Sequence, residues 1–176
     1  MRYTRTAIAL HWSMAAVILI TFAIGWVMTD LPISPARLKA FNYHKWLGVT
    51  VLLLLLVRVG WRALHAPPAA LPMSPWQAFA AKAVHGLLYL AMLAQPLSGW
   101  AYSNAAGFPV VYLKLVPLPN LVQKNPALAD VLKESHELLA WGFVLLLVLH
   151  VAGALHHHFI LRDGTLDRMR PTRLRS

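Results

Sequence analysis

The stretch that decides the fold runs from Glu134 to Leu161 and reads ESHELLAWGFVLLLVLHVAGALHHHFIL. It is apolar enough to cross a membrane, yet it places His136 and His150 fourteen residues apart. In an α-helix, fourteen residues return to within about 40° of the starting direction and rise by about 21 Å. Both imidazoles therefore face the same side of one helix, at two different depths.

Histidines inside a spanning helix are costly, and such polar side chains normally face the protein interior. Two of them on one stripe indicate two stacked binding layers, and imidazole is a common axial ligand of haem iron. The alternative at this point is that each histidine only hydrogen-bonds a neighbouring helix. The rest of the chain has to decide between the two interpretations.

The composition places the whole chain in a membrane. Of its 176 residues 59% are hydrophobic and 12% charged, with a mean hydropathy of +0.57, and the length predicts one domain over residues 1–176. The lack of cysteine excludes disulfides, iron–sulfur clusters and thiolate zinc sites. A net charge of +10 can indicate nucleic-acid binding, but no basic run is accompanied by a soluble nucleic-acid-binding module. We therefore expect no nucleic-acid partner.

Four apolar segments predict an all-α bundle of four transmembrane helices, at about 7–28, 42–64, 75–102 and 134–161. The first apolar run has 22 residues and no cleavage motif, which favours a retained helix over a signal peptide. Ser74, Pro75 and Gln77 predict a capping box at the start of the third helix. Residues 104–129, interrupted by prolines, predict a surface lid over one binding layer, with no buried helix.

The distribution of Lys and Arg predicts the orientation of the bundle. Ten of these residues lie on the side of the two termini and of the link between the second and third helices, and six lie on the other side. Both termini are therefore expected in the cytoplasm. We call the cytoplasmic end of the bundle the inner end and the opposite one the outer end.

All four helices repeat the fourteen-residue spacing, and each contributes one residue to each of two layers. The outer layer holds Gly25, His44, Gly99 and His136, and the inner layer holds His11, Arg58, His85 and His150. Glycine allows a backbone to approach a flat macrocycle closely. Each layer also offers at least two histidines, so the sequence predicts two six-coordinate haem b groups.

Arg58 is flanked by apolar residues in the second predicted helix and needs an anion inside the bundle. No helix offers a carboxylate at that depth, so a haem propionate is the predicted partner. The alternative is that Arg58 snorkels to the interface, whose position Trp61 and Arg62 mark.

Several motifs can then be compared with known families. They are His11-Trp12, the His44 to Arg58 pair, His85-x-x-x-Tyr89, Gln95-Pro96-x-x-Gly99, Ser135-His136-Glu137, His150 and the final HHHFILRDGTLDRMRP. Together they resemble the bacterial cytochrome b561 family, small di-haem quinone oxidoreductases related to the haem b subunits of membrane hydrogenases and formate dehydrogenases. The resemblance covers nearly the whole chain and implies a multi-pass protein of the bacterial inner membrane.

The same resemblance implies which histidines act together: His11 with His150 on the inner haem iron, and His44 with His136 on the outer one. It also implies that ubiquinone or another quinone docks beside one haem, and that superoxide is a donor for some members. His85 and His157 are the candidate contacts for a quinone or a propionate. The alternatives are a helix–helix hydrogen bond for His85 and a plain interfacial position for His157.

Three functions follow as hypotheses. The first is electron transfer from an exterior donor, a small anion such as superoxide, to membrane quinone. The second is a haem-bearing anchor for a soluble dehydrogenase or hydrogenase, and the third is a transporter or structural bundle without haem. Membrane lipid is an expected partner in each of them, and the sequence also permits a homo-oligomer.

Overall fold

The computed structural model describes residues 2–69 and 71–170. This part of the chain forms four long helices: α1 (Arg5–Asp30), α2 (Pro35–Leu64), α3 (Pro75–Ala105) and α4 (Pro126–His156). A π-helical turn (His157–Leu161) continues α4, and a short 3-10 helix (Leu166–Arg168) follows it. The predicted four-helix, all-α architecture is confirmed.

Each long helix begins at a side chain that accepts a hydrogen bond from the first turn. These capping residues are Thr4, Ser34, Ser74 and Asn125. The predicted capping box is present, since Ser74 Oγ accepts from Gln77 N at 3.3 Å and Gln77 Oε1 accepts from Ser74 N at 3.0 Å. Proline follows three of the four caps, where its missing N–H costs nothing.

The helices are longer than hydropathy alone predicted. α2 begins at Pro35 rather than at about 42, and α4 begins at Pro126 rather than at about 134. In both cases the first two turns are more polar than the spanning part, so the apolar run starts later than the helix. α1 covers 5–30 rather than 7–28, and α3 ends at Ala105 rather than at 102.

The connection between α3 and α4 carries a small antiparallel hairpin, β1 (Val111–Tyr112) and β2 (Val116–Pro117). Trp46 Nε1 on α2 donates to Val111 O at 2.8 Å, and the Tyr112 hydroxyl lies 3.1 Å from that of Thr50. The connection therefore lies against the outer end of α2. The helical part of the predicted lid, at 126–129, belongs to α4.

The bundle buries few of its large apolar side chains. The most extensive helix contacts are between α3 and α4, followed by those between α1 and α2, and then by those between α2 and α3. Leu19, Leu56 and Leu138 expose 62%, 67% and 74% of their surface. All four helices are long and apolar enough to cross a membrane, and their most apolar 18-residue segments have mean hydropathies of 1.3 to 2.4. The exposed leucines therefore form a surface suited to lipid.

The segment after α4 closes the inner end of the bundle. Met169 O accepts from Trp12 Nε1 at 2.8 Å, Arg170 O accepts from Arg2 at 2.7 Å, and Arg168 donates to Ala69 O at 2.8 Å. These bonds tie the N-terminus and the α2–α3 link to the tail. Arg173 and Arg175, which contributed to the charge asymmetry, lie outside the described residues.

Candidate haem sites

The outer layer brings His44 of α2 opposite His136 of α4. Their ring centroids are 6.2 Å apart. His44 Nδ1 lies 3.0 Å from the carbonyl oxygen of Thr21 on α1, and a carbonyl can only accept, so Nδ1 carries the proton. His44 Nε2 is left with the lone pair that a metal ligand needs.

Glycines of the two remaining helices stand directly against these two rings. A Cβ at Gly25 would lie 2.8 Å from His44 Cε1, and a Cβ at Gly99 would lie 2.7 Å from His136 Cε1. The sequence predicted that these glycines would admit a macrocycle, whereas the structure shows them admitting the imidazoles. Their lack of a side chain sets the positions of both histidines.

The inner layer brings three histidines together. The centroids of His11 and His150 are 6.1 Å apart, and those of His85 and His150 are 5.1 Å apart. His85 Nδ1 donates to Ala81 O, one turn earlier in α3, at 2.6 Å. Both layers predicted from the fourteen-residue spacing are thus assembled in the folded bundle.

Arg58 reaches the inner layer beside Tyr89. Its Nε donates to the Tyr89 hydroxyl at 3.0 Å, while its Nη1 is buried and has no hydrogen-bond partner among the described residues. A cavity of about 220 Å³ opens alongside. The part of its lining that the structure describes includes Arg2, Arg58, Arg62 and Tyr89 and contains no carboxylate. A buried guanidinium nitrogen without a partner is costly, so the site suits an anion.

An apolar plug separates the two layers. Ile18, Val51, Met92 and Phe143 are all buried members of one core cluster, and each lies seven residues from both site residues of its own helix. Phe143 packs edge-on against Phe22 with centroids 5.5 Å apart. The same spacing that forms the two layers therefore places a closely packed hydrophobic layer midway between them.

His157 lies beyond the inner layer and pairs with the tail. Its Nδ1 is 2.5 Å from Asp163 Oδ2, and Thr165 N donates to Asp163 Oδ1 at 2.9 Å. Burial alone raises the pKa of Asp163, but the hydrogen bonds from His157 and Thr165 outweigh it and lower that pKa to about 2. Because the pKa of Asp163 is depressed, its carboxylate stabilises the fold at pH values above the ordinary carboxyl pKa of about 4. This stabilisation is lost as the pH falls through about 2.

The spacing of the histidine pairs suits six-coordinate iron. Two imidazole nitrogens about 2 Å from one metal, on opposite sides, put the ring centroids about 6 Å apart. The His44–His136 and His11–His150 pairs meet this condition, while His85 stands too close to His150. Within the described residues, no three His, Asp or Glu side chains form a site for a bare metal ion.

Comparison with known proteins identifies the family of the chain. A family model described as prokaryotic cytochrome b561 matches residues 2–172. The chain belongs to the prokaryotic cytochrome b561 family. It is 38% identical to cytochrome b561 homolog 2 of Escherichia coli K12, over 96% of this chain and 90% of that protein.

Two further relatives are similar to the chain over nearly their full lengths. Cytochrome b561 homolog 1 of Escherichia coli K12 is 32% identical, over 98% of each chain. A protein of Yersinia pestis named probable superoxide oxidase CybB is 30% identical, over 97% of this chain and 96% of that protein. The chain is thus a multi-pass electron-transfer protein of the bacterial inner membrane, and the cofactor of its family is haem b.

The partners of the outer histidines were not predicted from the sequence. Gln95 and Ser98 of α3 both hydrogen-bond His136, and the backbone of Thr21 holds His44. One signal was available, because Gln95, Ser98 and Gly99 are spaced i, i+3, i+4 and share a helix face. The Thr21 carbonyl gives no sequence signal, since any residue offers one.

Proposed function

We propose that the chain holds two haem b groups, one between His44 and His136 and one between His11 and His150. The observation that carries this proposal is the separation of 6.2 and 6.1 Å between the paired rings. Bound haem supplies a one-electron ferric/ferrous couple at each layer. The apolar plug keeps the two couples at separate depths, about 21 Å apart along α4.

Arg58 neutralises a propionate of the inner haem in this proposal. Its support is the buried Nη1 and the cavity beside it. Within residues 2–69 and 71–170, Nη1 has no hydrogen-bond partner and no carboxylate lines the cavity. His85 is then not needed as a ligand, and with His157 it contacts the quinone or a propionate. Because Nδ1 of His157 is bonded to Asp163, Nε2 is the ring nitrogen that remains to contact the quinone or the propionate.

Electrons enter from superoxide at the outer end and leave to ubiquinone or another membrane quinone. Two superoxide ions each lose one electron and become O₂, and the two electrons with two protons convert one quinone to a quinol. The name of the Yersinia pestis relative, probable superoxide oxidase, supports this donor. So does the chemistry of the outer end, where Lys45 and Lys124 both lie beside the Gly107–Phe108 turn.

Haem content in single variants of the full-length protein tests the ligand assignment. His44→Ala and His136→Ala should each retain about half of the haem, as should His11→Ala and His150→Ala, because one bis-histidine site is lost each time. His85→Ala is the matched control and should retain both groups. Full haem content in both outer-layer variants would contradict the proposal.

Rapid mixing of the purified protein with superoxide tests the direction of electron flow. The absorbance of reduced haem b should rise on mixing, and added quinone should then reoxidise the protein. Absence of haem reduction by superoxide, together with co-purification of a larger hydrophilic subunit, would favour the anchor function instead.

A further inference from the structure

Two side chains of α3, Gln95 and Ser98, surround the imidazole of His136. Ser98 Oγ lies 3.0 Å from His136 Nδ1 and also donates to Gln95 O at 2.9 Å. A hydroxyl has one hydrogen, and Ser98 uses it on the Gln95 carbonyl, so towards His136 it can only accept. Nδ1 of His136 therefore carries the ring proton, and Nε2 holds a lone pair.

Gln95 requires the same tautomer independently. Its Nε2 lies 3.2 Å from the carbonyl oxygen of His136 and 3.3 Å from His136 Nε2. Because the carbonyl can only accept, the amide NH₂ faces His136 and donates to Nε2 as well. One lone pair cannot serve both a hydrogen bond and an iron. Ligation therefore releases Gln95 from the ring and leaves Ser98 as the partner of the imidazole.

We propose that Ser98 is a positioning residue that lowers the reduction potential of the outer haem through His136. The inference rests on the proposed function, in which His136 is an axial ligand. A hydrogen bond from the non-ligating N–H fixes the ring orientation and makes the imidazole a stronger electron donor. A stronger donor stabilises ferric more than ferrous iron, which lowers the potential.

The inner layer has no matching arrangement. Across residues 2–69 and 71–170, no hydrogen bond is made by the ring nitrogens of His11 or His150, whereas both outer histidines have an acceptor at Nδ1. The Arg58 guanidinium also lies at the inner layer, where positive charge favours the reduced state. Both differences lower the outer potential relative to the inner one and so favour electron transfer towards the cytoplasm.

Redox titration of the haem-loaded, full-length Ser98→Ala protein tests the inference. The outer potential should rise and the inner one should stay, with a second readout in the electron paramagnetic resonance of the ferric outer haem. Removing the hydrogen-bond partner of a metal-ligating histidine typically lowers metal affinity by about tenfold or more. If the preference for ferric over ferrous iron changes by about tenfold, the potential shifts by about 59 mV for a one-electron couple. The His44→Ala protein, expected to keep only the inner haem, identifies which potential belongs to which layer.

Two matched control variants accompany the Ser98→Ala protein. Ser98→Thr keeps the hydroxyl and should keep the wild-type potentials. Ser135→Ala removes a hydroxyl next to His136 that bonds Val131 O of its own helix at 2.8 Å, and it should shift neither potential. A Ser98→Ala protein that loses the outer haem while Ser98→Thr keeps it also supports the role.

Three results would overturn the proposed role of Ser98. They are unchanged potentials in Ser98→Ala, equal shifts in the potentials of both haems, or loss of the outer haem in both Ser98→Ala and Ser98→Thr. The proposed function fails on a different result, namely full haem content in both His44→Ala and His136→Ala. The two failures are therefore distinguishable.

Discussion

At the scale of single residues, Gly99 decides whether His136 can take its place. A methyl group in Gly99→Ala would lie 2.7 Å from His136 Cε1, too close for the ring to stay where it is. We expect the variant to lose outer haem or to bind it with an altered spectrum, as judged by haem content and reduced-minus-oxidised absorbance.

Gly86 on the same helix provides the control for this change. No neighbouring side chain or other element in the described part of the chain lies within 4 Å of a Cβ placed there, so Gly86→Ala should keep both haems. Since glycine inside a helix costs about 0.5–1 kcal/mol relative to alanine, it should also be slightly more stable. Equal haem content in the two alanine variants would show that the close approach at Gly99 is unimportant.

Arg58 is expected to act on the inner haem alone. Arg58→Leu removes a positive charge that favours the reduced state, so the inner potential should fall while the outer one stays nearly unchanged. A fall of about 59 mV corresponds to a tenfold change in the ferric-to-ferrous preference. Lys82 is exposed near the start of α3 and does not line the cavity beside Arg58, so Lys82→Leu provides the control and should leave both potentials unchanged. Unchanged inner potential in Arg58→Leu would favour the snorkelling interpretation.

The fourteen-residue spacing was sufficient to group the histidines, glycines and arginine of the candidate site into two layers. Ser98 and Tyr89 could not be assigned roles in that way. A serine or tyrosine in a spanning helix bonds its own backbone or a neighbour depending on how two helices are rotated against each other, and the sequence of one helix does not specify that rotation.

At the scale of elements, the plug between the layers should carry much of the stability of the bundle. Phe143 is only 3% exposed and contacts Phe22 of α1. Truncation of a buried phenylalanine typically costs about 3–5 kcal/mol, so Phe143→Ala should lower the midpoint of thermal unfolding in detergent. Leu145→Ala, at a position 59% exposed on the same helix, should change it little. Similar midpoints for the two variants would argue against a packed plug.

The existence of the four helices was predictable, but two of their starting points were not. Mean hydropathy marks the part of a helix that lies in lipid, while the cap–proline pairs Ser34–Pro35 and Asn125–Pro126 mark where the helix begins. The hairpin was missed for a related reason. Its turn uses Leu113 and Lys114 at positive φ (52° and 61°), a conformation that such residues seldom adopt and that the sequence does not signal.

At the scale of the whole molecule, the electron entry that we propose at the outer end depends on which charges lie there. Lys45 Nζ lies 5.8 Å from the Phe108 ring centroid, and the Lys124 chain packs 3.1 Å from the Cβ position of Gly107. Lys45 follows His44 directly in α2, so both lysines lie near the outer layer. Lys133, by contrast, faces Glu137 at 3.9 Å, and its charge is largely offset.

Superoxide is a small anion, so its rate of reaction should reflect this positive charge. Reduction of the protein by superoxide should slow as ionic strength rises, because the Debye length falls to about 8 Å at 0.15 M salt. Lys45→Gln and Lys124→Gln should slow it further at low salt, while haem content stays unchanged. Lys82→Gln alters the net charge equally but lies near the start of α3, at the inner end, and should leave the rate unchanged. Stopped-flow measurement of haem reduction at several salt concentrations distinguishes these outcomes. A salt-independent rate, or equal slowing in all three variants, would mean that the two outer lysines do not guide the donor.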